Sequence, residues 1–157
     1  MRIRGLIWSL LLAACGAPGE MATRAPLDAC AAVTKADVQG VVGSPIGEPS
    51  WVQIPNGTMC SYQTVDTTLR GVTIEMYPHG IGLRDMYVTE AGKVWEVEPI
   101  ALAAVGDEAT WLGTQLIAVQ GDDLVVLAVS GTLEPRLARE EATTLVRKAL
   151  ERLRTPP

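Results

Sequence analysis

The pattern of hydrophobic and polar residues predicts a short helix near the start of a domain that begins at Asp28. Thr34 and Asp37 have the spacing of a helix N-cap and its partner in a capping box. Gly43 follows at a position that suits the end of the helix. We therefore expect a helix of about two turns, with Cys30 just before it.

The next segment predicts a β-hairpin. Asn56-Gly57 is the preferred residue pair for a two-residue type I′ turn, and such a turn places Trp51 opposite Tyr62. In that register Trp51, Cys60 and Tyr62 share one face of the sheet. If Cys60 reaches Cys30, the first helix must cover this face.

Alternating and helical patterns follow one another over the rest of the chain. Alternation predicts strands at 71–77 and 93–99, and a closing meander over 109–131 that turns at Gly121-Asp122. The nearly continuous apolar run at 124–129 is the best candidate for a central strand. Helical spacing predicts a short helix around 83–91.

From Glu134 the apolar residues recur with a helical period, and Pro135 suits the first turn of a helix. The predicted apolar stripe comprises Ala138, Ala142, Leu145, Ala149 and Leu153, broadened by Val146 and Leu150. Basic residues lie mostly outside this stripe, and we interpret them as a solvated face: Arg139, Arg147, Lys148, Arg152 and Arg154. Strands between short helices and a long final helix predict an α+β fold, in which helices pack against one antiparallel sheet.

The first 14 residues have the organisation of a secretory signal. Arg2 and Arg4 precede the apolar stretch 5–12, which is too short to cross a bilayer as a helix. Leu12-Ala13-Ala14-Cys15 then resembles the lipobox of bacterial lipoproteins. The resemblance implies that Cys15 is lipidated on its sulfur and becomes the mature N-terminus. The alternative is an ordinary cleaved signal followed by a chance cysteine.

Residues 16–27 are rich in Gly, Ala and Pro without periodicity, which is typical of a flexible tether. The chain is thus predicted to contain a signal peptide (1–14), a lipidated cysteine and tether (15–27), and one α+β domain (28–154).

The three cysteines are consistent with export and lipid attachment. Export implies an oxidising compartment, and a lipidated Cys15 leaves Cys30 and Cys60 as an even pair, so a disulfide is predicted. A metal site is disfavoured because the chain has no CxxC motif and only one histidine, His79.

Charge limits the classes of partner. The chain has 13 basic and 18 acidic residues. Removal of Arg2 and Arg4 with the signal leaves 11 − 18 = −7. This negative charge argues against binding to nucleic acid, and against electrostatic attachment to anionic lipid, so we expect the lipid on Cys15 to be the membrane contact.

Several segments together resemble a family of small bacterial lipoproteins of unknown function, common in actinobacteria, that carry a paired-cysteine domain after the lipobox. They are residues 28–47, the CSY triplet at 60–62, the AVGDEATW stretch at 104–111 and the final helix. The likeness spans 28–153 and implies the same pairing of Cys30 with Cys60. It supplies no catalytic residues.

Few residues are candidates for chemistry. His79 stands alone in a predicted turn, and the acidic pairs Asp107-Glu108 and Asp122-Asp123 lack the alternating spacing of an EF-hand calcium loop. Glu96 and Glu98 share a face of the predicted strand 93–99, where exposure to solvent explains them best. We predict no catalytic residue, cofactor or metal.

Three functional hypotheses remain open. The first is an anchored, extracytoplasmic, non-enzymatic binding or accessory module, whose partner is an envelope protein or a small ligand. The second is a carrier of small apolar ligands with a pocket between sheet and helices. The third is a cell-envelope hydrolase.

Overall fold

The structure, a computed structural model, describes residues 27–131 and 134–154. The predicted signal peptide, Cys15 and nearly all of the tether lie outside these residues. The strands are β1 Ser50–Ile54, β2 Gly57–Gln63, β3 Gly71–Tyr77, β4 Ile100–Ala101, β5 Glu108–Leu112, β6 Gln115–Gln120 and β7 Asp123–Ser130. The helices are α1 Ala29–Ala32, α2 Lys35–Val42, α3 Arg84–Trp95 and α4 Pro135–Arg154, with a 3₁₀ turn, Gly80–Leu83, immediately before α3.

The strands form one antiparallel sheet in the order β1-β2-β3-β7-β6-β5-β4, which confirms the predicted α+β fold. The apolar run predicted as the central strand is β7, and it occupies the middle of the sheet. Helices cover the two faces unequally. On the first face α1, α2 and α4 pack over the side chains of Cys60, Ile74 and Leu127. On the second face α3 packs over Ile117 and Leu124.

The final helix matches its prediction closely. Ala138, Ala142, Leu145 and Ala149 of the apolar stripe are buried against the sheet, as are Val146 and Leu150 beside it. Glu141 is buried with them, although the hydrophobic pattern does not predict burial of a glutamate beside the stripe. None of the helices within the described ranges has the length and apolar character needed to cross a bilayer.

The first predicted helix is α2, and its ends are confirmed. Thr34 and Asp37 form the capping box, and Gly43 ends the helix with a left-handed φ of 72°. One further turn of helix, α1, was not predicted, and Cys30 lies inside it rather than before a helix. Asp28 caps α1, whose four residues are too few to show a period.

The hairpin exists, but its predicted turn and register are wrong. Trp51 lies opposite Cys60, two residues from the expected Tyr62, because the turn residues are Pro55 and Asn56. Proline followed by a residue of positive φ (60° at Asn56) is typical of a type II turn. Gly57 belongs to β2 instead, where a side chain would collide with the Met76 carbonyl.

A register shift of two residues leaves each side chain on its predicted face. Cys60 and Tyr62 are accordingly buried beneath α1. Trp51 shares their face but lies on the edge strand, and it remains 51% exposed, so the expected cover by the first helix does not extend to it.

The strand predicted at 93–99 is also wrong. Helix α3 continues through this segment to Trp95 and ends where Glu96 adopts a left-handed φ of 50°. Adding a residue to an existing helix costs little, so a helix already formed outweighs a short alternating pattern. Glu96 and Glu98 therefore do not share a strand face, and the next strand is only Ile100–Ala101.

Candidate functional site

The two domain cysteines form the predicted disulfide. Cys30 in α1 and Cys60 in β2 are bonded, with a Cα–Cα distance of 5.1 Å, inside the usual range of about 4.4–6.8 Å. The hydroxyl of Tyr62 donates a hydrogen bond to the Val33 carbonyl beside the bridge. The bridge therefore has a structural role, fixing the helical start of the domain to the sheet.

His79 lies in the predicted turn after β3. Its Nδ1 is 2.7 Å from Oδ2 of Asp122, and both side chains are about two-thirds exposed. The His79 backbone N–H donates to Oδ1 of Asp123 at 3.3 Å. These contacts connect the turn after β3 to the turn between β6 and β7. His79 and Asp122 are turn residues, as interpreted, whereas Asp123 is the buried first residue of β7.

The other acidic pair is similarly engaged. Oδ2 of Asp107 accepts the N–H of Gly121 at 2.7 Å, and Glu108 forms an ion pair with Arg84. Among residues 27–131 and 134–154, no group of three or more His, Cys, Asp or Glu side chains is placed to hold a metal ion.

The basic residues of α4 were predicted to be solvated, but some of them hold α2 in place. Lys148 and Arg152 lie 3.1 Å and 2.7 Å from the carboxylate of Asp37. Burial by itself would raise the pKa of Asp37, but hydrogen bonds from Arg152, Thr34 and Lys148 outweigh it and hold this pKa well below its usual range. This cluster joins the two helices and is occupied by protein groups.

A second ion pair lies deeper on the same face of the sheet. Arg70 forms an ion pair with Glu141 of α4 and donates to the Val42 carbonyl at 2.9 Å. The small gap beside Tyr62, Arg70 and Glu141 has no room for a water molecule. This pair joins the segment just before β3 to α2 and α4 and leaves no space for a ligand there.

The second face of the sheet is only partly covered. Seven strands about 4.8 Å apart make a sheet about 29 Å wide, whereas one helix is about 10 Å across. The single helix α3 covers β5, β6 and one end of β7 and leaves the neighbouring part uncovered. The partly or fully exposed side chains there, which we call the open face, are Val52, Met59, Ser61, Thr73, Glu75, Gln115 and Ala128.

Helix α3 forms a wall along the open face. A groove of about 350 Å³ lies between the helix and the sheet, and its lining residues are Met86, Tyr87, Glu90, Ala91, Val94 and Gln115. Met86 and Val94 are large apolar residues left exposed on α3. The groove thus combines an apolar wall with polar side chains.

A cluster of two tyrosines and one glutamate lies where α3 meets the open face. Oε2 of Glu75 accepts hydrogen bonds from the hydroxyls of Tyr77 at 2.7 Å and Tyr87 at 2.8 Å. The two hydroxyl oxygens are 2.5 Å apart and the ring centroids 5.9 Å apart. Burial and the neighbouring carboxylate raise the pKa of Tyr87 to about 12 and that of Tyr77 further, so both phenols keep their protons at neutral pH.

This cluster was not predicted from the sequence. Alternation in β3 places Glu75 and Tyr77 on the same side of the strand, which is a usable signal. Nothing local indicates that Tyr87, twelve residues from Glu75 and on a different element, completes the group.

The chain has no match among protein family models, curated proteins or solved structures. The interpretation of the open face therefore rests on its geometry and chemistry.

Proposed function

We propose that this protein is a lipid-anchored, extracytoplasmic, non-enzymatic binding module, and that the open face with its groove beside α3 is the binding surface. The observation that carries the proposal is the unequal covering of the sheet. Three helices cover the first face and one helix covers the second, where a groove of about 350 Å³ lies beside a carboxylate that accepts hydrogen bonds from two phenols.

The proposed extracytoplasmic, membrane-anchored localisation rests on the first 15 residues. A basic start, an apolar stretch and the lipobox-like ending at Cys15 support export and lipid attachment. The Cys30–Cys60 disulfide supports an oxidising compartment.

The shape of the candidate site favours surface binding over carriage of an apolar molecule inside the fold. A carrier needs an enclosed apolar space between sheet and helices, and the gap beside Arg70 on the first face is filled. The groove beside α3 opens to solvent and includes Glu90 and Gln115 in its lining.

The anchor is tested by Cys15→Ser, with Cys60→Ser as the matched control. Cys15→Ser is expected to abolish labelling by a radioactive fatty acid and to release the protein from the membrane fraction, whereas Cys60→Ser keeps its label. Unchanged detergent partitioning of Cys15→Ser would reject lipid attachment.

The binding surface is tested by NMR on the intact lipoprotein in detergent micelles. A fragment mixture containing cationic, neutral and anionic compounds is titrated, and backbone amide shifts are mapped onto the sequence. We expect the shifts to concentrate in β2, β3 and α3. Shifts concentrated on α4 and the first face would refute the assignment of the open face.

A further inference from the structure

The cluster of Glu75, Tyr77 and Tyr87 contains more close oxygen pairs than protons to bridge them. Three O···O contacts of 2.5–2.8 Å join Oε2 of Glu75 and the two phenol oxygens. Each phenol contributes one proton and an ionised carboxylate contributes none. The two phenol protons are used within the cluster, and lone pairs remain on its oxygens as unused capacity to accept a proton donor.

This unused capacity lies close together. Both phenols direct their protons to Oε2 of Glu75, which leaves Oε1 and the remaining lone pairs of the two phenol oxygens. Tyr87 belongs both to the cluster and to the groove lining, so this one side chain connects the two. A ligand group that brings several donors and no acceptor matches these oxygens.

The charge around the cluster favours a cation. Glu75 brings negative charge to the open face. Both basic residues of α3 pair with other carboxylates, since Arg84 pairs with Asp85 and Glu108, and Lys93 lies 3.2 Å from Glu90, whose charge it offsets. The two phenols add no positive charge.

On the basis of the proposed binding role of the open face, we propose that this site binds the ammonium group of a small organic amine. The ammonium lies against Glu75 and the oxygens of Tyr77 and Tyr87, and its alkyl chain extends along Met86 and Val94. An ammonium group has three donors, no acceptor and the complementary charge, and it stays protonated at neutral pH.

The test uses three probes with the same five-carbon chain and different ends. They are cadaverine (1,5-diaminopentane), 1,5-pentanediol and glutarate, each titrated into the intact lipoprotein in detergent micelles. Binding is followed by saturation-transfer NMR, and the melting temperature of every variant is measured in parallel. We expect cadaverine to bind at least about tenfold more tightly than either other probe, because charged hydrogen bonds are stronger than neutral ones.

Two substitutions locate the site. Glu75→Gln keeps the shape of the side chain and removes its charge, and it is expected to weaken cadaverine binding at least about tenfold. Tyr87→Phe removes one phenol oxygen and should weaken binding by a smaller factor. Glu134→Gln, at an exposed glutamate just before α4, is the matched control and should leave binding unchanged.

Each other outcome overturns a distinct claim. Equal binding of cadaverine and pentanediol at β3 and α3 would reject the amine while keeping the open face as a binding surface. Cadaverine binding that survives Glu75→Gln and Tyr87→Phe would place the amine elsewhere. Displacement of cadaverine by millimolar Ca²⁺ would reassign the oxygens to a cation site. Absence of binding by all three probes would reject the ligand class, whereas the fragment titration separately decides the proposed function.

Discussion

Glu140 and Glu141 are neighbours in α4, and the fold predicts a large loss of stability on removal of one and a small loss on removal of the other. Glu141 is 7% exposed and pairs with Arg70, itself 13% exposed. Glu140 pairs with Arg136 at 2.9 Å on the outer side of the helix, and both side chains are more than half exposed. The two glutamates thus form a matched pair, one buried and one solvated, at almost the same place in the chain.

Glu141→Ala is expected to lower the free energy of unfolding by about 3–5 kcal/mol, because it leaves a buried guanidinium without its counter-charge. The Val42 carbonyl remains as an acceptor, but Nε of Arg70 is already buried without a partner. Glu140→Ala is expected to cost about 0.5 kcal/mol or less, as for exposed pairs in general. The cost therefore comes from burial rather than from pairing itself.

The assay is urea unfolding at pH 7, followed by tryptophan fluorescence with the disulfide intact. A third variant, Arg70→Met with Glu141→Leu, separates charge from packing, since it removes both charges and keeps most of the volume. Replacing a whole buried pair is often neutral or stabilising, so we expect the double variant to be more stable than Glu141→Ala. Equal stability of the Glu140→Ala and Glu141→Ala proteins would refute this reasoning.

Three further predictions concern the disulfide and two ionisable groups. Replacing Cys30 and Cys60 with alanine should lower the free energy of unfolding by about 3–4 kcal/mol, since the bridge closes a loop of 30 residues. Two alkylatable thiols in the exported wild-type protein would contradict the bridge. The lowered pKa of Asp37 stabilises the fold fully above the ordinary carboxylate pKa of about 4, and this contribution is lost as the pH falls below that value. Asp37→Asn should therefore reduce the acid-dependent loss of melting temperature, and an unchanged pH profile would argue against these ion pairs. The raised pKa of Tyr87 contributes stability below pH 10 that is lost as the pH rises towards 12. Absorbance at 295 nm should show tyrosine ionisation at a higher pH in the folded protein than in urea. Coincident titration curves would contradict this burial.

Two predictions from local patterns were wrong: the position of the hairpin turn and the strand at 93–99. A type II turn at Pro55-Asn56 stands in place of the expected turn, and in this register Gly57 lies where β2 passes close to Met76. The local sequence is compatible with a turn at Asn56-Gly57 and with a turn at Pro55-Asn56, and the two differ in how β2 pairs with its neighbouring strands. Similarly, the continuation of α3 to Trp95 depends on the helix that precedes the alternating segment.

The sequence by itself determined the features that depend on near neighbours along the chain. The capping box of α2, the central strand β7 and the apolar stripe of α4 were all predicted, because periodicity records which side of an element is buried. Counting cysteines, together with the predicted export, was enough to predict the bridge between Cys30 and Cys60.

Only the tertiary structure decided which polar groups meet and which surface stays open. Arg70 and Glu141 are 71 residues apart, and their pairing follows from how β3, α2 and α4 pack. The open face exists because a single helix is too narrow to cover a sheet of seven strands. Tyr87 reaches Glu75 because α3 packs beside that uncovered region, and no pattern along either element specifies this meeting.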